Sequence, residues 1–68
     1  MLTTITEIFQ ATHLCYALFR MDRNTNPKMK MNESECLAAF NLCRECGAPE
    51  SIRDYFKDRL NEYIESKS

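Results

Sequence analysis

Four thiols and one imidazole stand in 68 residues: Cys15, Cys36, Cys43, Cys46 and His13. Side chains of these types bind soft metals or carry out thiol redox chemistry. The run Cys43-Arg44-Glu45-Cys46-Gly47 has the gap of half a zinc knuckle. Its second half is missing, because no other Cys–Cys or Cys–His pair has ligand spacing. On a continuous helix Cys36 lies roughly 10 Å along the axis from Cys43. Zinc-bound sulfurs each sit about 2.3 Å from the metal, so Cys36 does not complete the site. His13 and Cys15 project about 160° apart on a helix and do not converge either. No metal and no cofactor are expected, and the cysteines read as small buried hydrophobes. As a redox pair Cys43 and Cys46 are poorly placed. They stand at a predicted helix C-terminus, where the dipole raises a thiol pKa, whereas reactive pairs of this type use the N-terminus.

Catalysis needs a nucleophile, a base and a pocket. His13 lies at the edge of an apolar face, and one glycine in the chain leaves no phosphate-cradling loop. An enzyme is not expected. The net charge is −1, with Lys and Arg balanced by Asp and Glu in almost every segment. A nucleic-acid binder would carry a basic excess, so direct binding to DNA or RNA is not expected. A helix-turn-helix reader would also need outward cationic or amide side chains on its second helix. The matching helix here carries the acidic row Glu50, Asp54, Asp58 and Glu62, with Arg53, Lys57 and Arg59 interleaved. Met1 to Gln10 has no basic region or long apolar run, and the uncharged stretch Ile8 to Phe19 is too short to span a bilayer. The chain reads as cytoplasmic, unassociated with membranes, with its thiols reduced.

The elements that carry these residues are helical. The 44% apolar and 28% charged composition is that of a folded chain, and one Gly with two Pro argues against a turn-rich β domain. Three helices are predicted, over about residues 4–21, 32–46 and 49–66, forming one all-α domain over 1–68. Thr4-Ile5-Thr6-Glu7 and Asn32-Glu33-Ser34-Glu35 have capping-box spacing. Met31 and Cys36 are placed as a hydrophobic staple, and Gly47 as a left-handed cap. Pro49 suits the first turn of the third helix, with Ser51 as an alternative cap. Asp22 to Met31 reads as a loop, turning at Asn24-Thr25-Asn26-Pro27. A single core at this size is marginal, so self-association as a homo-oligomer is expected.

Placing residues at 100° per position shows what each helix must bury. The third presents Ile52, Tyr55, Phe56, Leu60, Tyr63 and Ile64 on one face. The second presents Cys36, Ala39, Phe40, Cys43 and Cys46, flanked by Leu37 and Leu42. The first is apolar on two sides: Ile5, Ile8, Phe9, Thr12, Tyr16 and Phe19 on one, Ala11, Leu14 and Leu18 on the other, with Cys15 near the boundary. Two neighbours cover one broad face of it. Ala11, Leu14, Cys15 and Leu18 are therefore the expected partner-binding residues, since a connected exposed apolar patch marks an interface.

From Ala38 onward three features stand in order: Ala38-Ala39-Phe40 in one helix, the break Gly47-Ala48-Pro49, and the spacing Tyr55, Arg59, Tyr63 in the next. With these the chain resembles the AraC negative regulators, small helical proteins of enteric and related Gram-negative bacteria. It departs from them in carrying Tyr55 where the family often has Trp, and in a long loop before Asn32. The resemblance implies that Ala39, Phe40, Tyr55, Phe56, Arg59 and Tyr63 form core or motif positions. It also implies a partner, an AraC-type transcription activator, kept from productive dimerisation or DNA binding. The expected function is thus negative regulation of transcription by protein contact, helix against helix. The competing expectations are a phage- or plasmid-type inhibitor of another machine, and a regulator that works on DNA or a nucleoid-associated protein.

Overall fold

The first two helices begin and end at capping residues. The computed structural model describes residues 3–67, so Met1, Leu2 and Ser68 of the 1–68 span lie outside the described residues. The first helix, α1, is Ile5–Arg23. Thr4 Oγ1 accepts the Glu7 N–H at 3.1 Å, and the Glu7 carboxylate accepts the Thr4 N–H at 3.2 Å. This reciprocal box satisfies two of the four orphan donors of the first turn. The second helix, α2, is Glu33–Cys46, with the same box between Asn32 and Glu35 at 2.8 and 2.9 Å. It stops at Gly47, whose φ of 69° is left-handed and suits a residue without Cβ. The third, α3, is Glu50–Lys67. The Pro49 carbonyl accepts the N–H groups of Ile52 and Arg53, so the helix starts directly after Pro49 and Ser51 lies inside its first turn. No strand occurs among the described residues.

The connection between α1 and α2 is shorter and better ordered than the sequence reading of residues 22–31. Asp22 and Arg23 belong to α1. The Asn24 and Asn26 side chains each accept a backbone N–H two residues on, from Asn26 and Lys28, at 2.9 and 3.1 Å. A short 3-10 turn, Pro27–Met29, follows. Met31 then turns inward and packs with Cys36, the staple that fixes the entry to α2.

The core is built from small side chains. Ala11 and Cys15 come from α1, Cys36, Ala39, Cys43 and Cys46 from α2, Ile52 and Phe56 from α3, and Met31 and Ala48 from the connections. Seven of these ten are Cys or Ala, which bring the helices close but bury little area per residue. Phe56 is the largest enclosed side chain. Tyr55 packs edge-on between Phe19 and Phe56, with centroids 4.9 and 5.4 Å away. On α3 the apolar face is narrower than its sequence pattern. Ile52 and Phe56 are buried, Tyr55, Leu60 and Tyr63 are half-buried, and Ile64 is exposed. The acidic row Glu50, Asp54, Asp58 and Glu62 is exposed, as a solvated face should be.

Candidate protein-interaction surface

One buried carboxylate joins the end of α1 to α3 and to the chain entering α2. Asp22, in the last turn of α1, has no exposed surface. A charge taken out of water needs both a counter-charge and hydrogen bonds. Asp22 has both. Its Oδ2 accepts from Arg59 Nε at 2.6 Å and from the Tyr55 hydroxyl at 2.5 Å, and its Oδ1 accepts from the Met31 N–H at 2.8 Å. Arg59 also donates to the Met31 carbonyl at 3.2 Å, and the Tyr63 hydroxyl donates to that carbonyl at 2.6 Å. Lys30 Nζ reaches the Asp22 carbonyl, one of the orphan acceptors at the end of α1. Tyr55, Arg59 and Tyr63 are thus a clamp from α3 onto the end of α1 and the strand of chain entering α2.

Burial alone would push the Asp22 carboxyl up. The hydrogen bonds from Arg59, Met31 and Tyr55 outweigh it and hold the group below the ordinary carboxylate range. Burial, and then the bond to Asp22, push the Tyr55 hydroxyl up. The bond to Asp22 likewise raises Arg59. The network is therefore an ion pair at neutral pH, with Tyr55 protonated as donor.

Asp22 shares the inward side of α1 with Ala11 and Cys15, and this corrects the expected contact set. Ala11 and Cys15 are core residues, buried beside Asp22 along one seam of the helix. They are not available to a partner. Leu18 is half-buried against the core, while Leu14 is 48% exposed. The opposite flank, expected to be covered, is the more exposed one. Ile5 is 72% and Phe9 64% exposed, and Ile8 and Tyr16 are also exposed. The helix is apolar across both flanks of a seam made of small residues and one acid, so two neighbours leave both flanks partly in water.

Two apolar features result. Ile5, Phe9 and Tyr16 form a ridge, spaced by four and seven residues along one side of α1. On the other side Leu14, Leu18 and Met21 face Met31, Ala38 and Leu42 across a shallow groove of about 260 Å³ between α1 and α2. Glu35 is its charged border.

Cys15, Cys36, Cys43 and Cys46 are free thiols and all are buried. Among the described residues no group of three or more His, Cys, Asp or Glu is arranged to hold a metal ion. His13 is exposed, at a shallow surface depression with Tyr16, Ala17 and Arg20. Ala39 is buried and Phe40 half-buried. Among the described residues no helix is long and apolar enough to cross a membrane. Asp22 escaped the sequence reading because it follows the last apolar residue of α1 and adjoins a turn-rich segment. The signal that existed was on its partner: three polar-tipped residues at i, i+4 and i+8 on the buried side of α3. Comparison with protein-family models, with curated proteins and with solved structures gives no match.

Proposed function

We propose that this protein regulates transcription negatively by binding an AraC-type activator and blocking its dimerisation or its hold on DNA. The observation that carries the reading is the apolar ridge of Ile5, Phe9 and Tyr16 on a helix whose inner seam is already satisfied. A small domain that keeps large apolar side chains in water has a use for them, and helix-on-helix contact is the use this geometry fits. The resemblance of Ala38-Ala39-Phe40, Gly47-Ala48-Pro49 and Tyr55, Arg59, Tyr63 to the AraC negative regulators names the kind of partner. Its motif residues have a physical role here, since Tyr55, Arg59 and Tyr63 hold the frame that presents α1. A stoichiometric inhibitor of this kind needs no catalytic group. It works by mass action, occupying the surface that the activator uses.

The test is co-expression with an AraC-type activator from the same genome, followed by affinity capture and a promoter gel shift. The activator should co-purify, and its shift should be lost as the protein is added. The variant Ile5→Asp with Phe9→Asp should stay helical and soluble yet release the activator. Retention of a nuclease or polymerase with no activator would overturn the proposal. So would a salt-sensitive gel shift by the protein alone.

A further inference from the structure

Cys46 has two potential partners, and the fold favours the distant one. Its Sγ, in the last residue of α2, lies 3.8 Å from Sγ of Cys15 in the middle of α1, 31 positions away in sequence. Cys15 is fully enclosed, whereas Cys46 keeps 9% of its surface open beside the Gly47 turn. Cys43 is buried against the same pair. Cys36 sits apart, with its thiol on the Met31 carbonyl at 3.8 Å. The sulfurs of a disulfide are about 2.05 Å apart, so Cys15 and Cys46 must approach by roughly 2 Å. Closure asks Cys46, the last residue of α2, to turn its thiol from the Cys43 carbonyl, 3.7 Å away, toward Cys15.

We propose that Cys15 and Cys46 are an oxidisable pair that closes into an intramolecular disulfide when the protein meets hydrogen peroxide. A small neutral oxidant suits a pair in which Cys15 is enclosed and Cys46 keeps a little exposed surface. The Cys46 sulfur, the one with exposed surface, attacks one peroxide oxygen, slowly because it ends a helix rather than beginning one. The O–O bond breaks, Cys46 becomes a sulfenic acid, and the departing hydroxide leaves as water with the thiol proton. The Cys15 sulfur then attacks the Cys46 sulfur. The S–O bond breaks, and the second hydroxide leaves as water with the Cys15 proton. Two thiols lose two electrons, and peroxide is reduced to two waters. The product ties the middle of α1 to the end of α2, locking the pair of helices that presents both the ridge and the groove. Burial, then contact with Cys43, raises the Cys15 thiol above its ordinary value, so closure should quicken as pH rises.

The experiment treats the native full-length chain with hydrogen peroxide, alkylates the remaining thiols after unfolding, and maps the peptides by mass spectrometry. Two of the four thiols should disappear, and a Cys15–Cys46 linked peptide should appear, with Cys36 and Cys43 alkylated. Dithiothreitol should reverse this, and the oxidised form should melt at a higher temperature. Cys46→Ser should abolish the reaction, and Cys36→Ser should leave it intact. Mapping the wild-type chain needs no variant to fold. A Cys15–Cys43 link, a Cys43–Cys46 link, a link between molecules, or native thiols untouched by peroxide that oxidises the urea-unfolded chain would each overturn the proposal. Activator capture plays no part in these readouts, so the proposal stands or falls separately from the regulatory one.

Discussion

Asp22 is the residue on which the fold turns. Its carboxylate is enclosed, ion-paired and hydrogen-bonded on both oxygens, while the Arg59 side chain retains 17% exposure. Removing one partner of such a pair strands the other, at roughly 3–5 kcal/mol. Asp22→Ala should therefore cost most of that, measured by urea unfolding. Tyr55→Phe should cost about 1.5–3 kcal/mol, the range for a hydrogen bond to a charged group. The pH dependence follows from the sign of the shift. Asp22 has a lower pKa in the folded chain than when unfolded, so the native state binds its proton less readily. Its contribution is fully present above the unfolded value of about 3.9 and disappears as pH falls toward the lower folded value. Stability should thus drop steeply below about pH 4. The drop should be shallower in Asp22→Asn, a change that keeps the shape and removes the titration. A parallel slope in wild type and Asp22→Asn would show that other carboxylates control the acid limb.

Among the elements, α2 and α3 were largely legible from the sequence and α1 was not. Gly47 and the Asn32 and Glu35 box mark the ends of α2 by local chemistry, which does not depend on what the helix packs against. The limits of α1 were also nearly readable, since Thr4 and Glu7 fix its start. Its inner face was not. A helical wheel weights large apolar residues, and those lie on both flanks of α1. The seam that enters the core is Ala11, Cys15 and Asp22, where the wheel puts Ala11 on the second apolar side, Cys15 near its boundary and Asp22 in a loop. Close helix approach favours the small residues, and the Arg59 pair supplies the acid with its reason for burial. This inversion has a direct check. Compared with wild type at concentrations where both are monomers, Ile5→Asp with Phe9→Asp should change stability by no more than about 0.5 kcal/mol per site, as exposed positions do. Ala11→Asp places an unpaired charge in the seam and should abolish the cooperative thermal transition. Unfolding by the first variant and tolerance of the second would restore the opposite facing of α1.

The molecule as a whole is short of large core residues. A chain of this length has on the order of 3–10 kcal/mol of stability to lose. Phe56 is the largest fully buried side chain, and truncating it to Ala should cost roughly 3–5 kcal/mol, enough to unfold the protein at 37 °C or bring it close. Meanwhile Ile5 and Phe9 leave most of their surface in water. Covering them with a second copy is the simplest way to recover that area, and it makes stability depend on concentration. Wild-type protein should show a mass in sedimentation equilibrium that rises above the monomer with concentration. Its melting temperature should rise in step. The Ile5→Asp, Phe9→Asp variant separates the two uses of the surface. If copies and activator share the ridge, the variant stays monomeric at every concentration and captures no activator. Diluting wild type before adding activator should then increase the fraction captured, because self-association no longer competes. If the variant loses the activator but still self-associates, the copies meet through the groove between Leu14 and Leu42 instead. Ala38→Glu, at an exposed position lining that groove, should then dissociate them and leave activator capture intact.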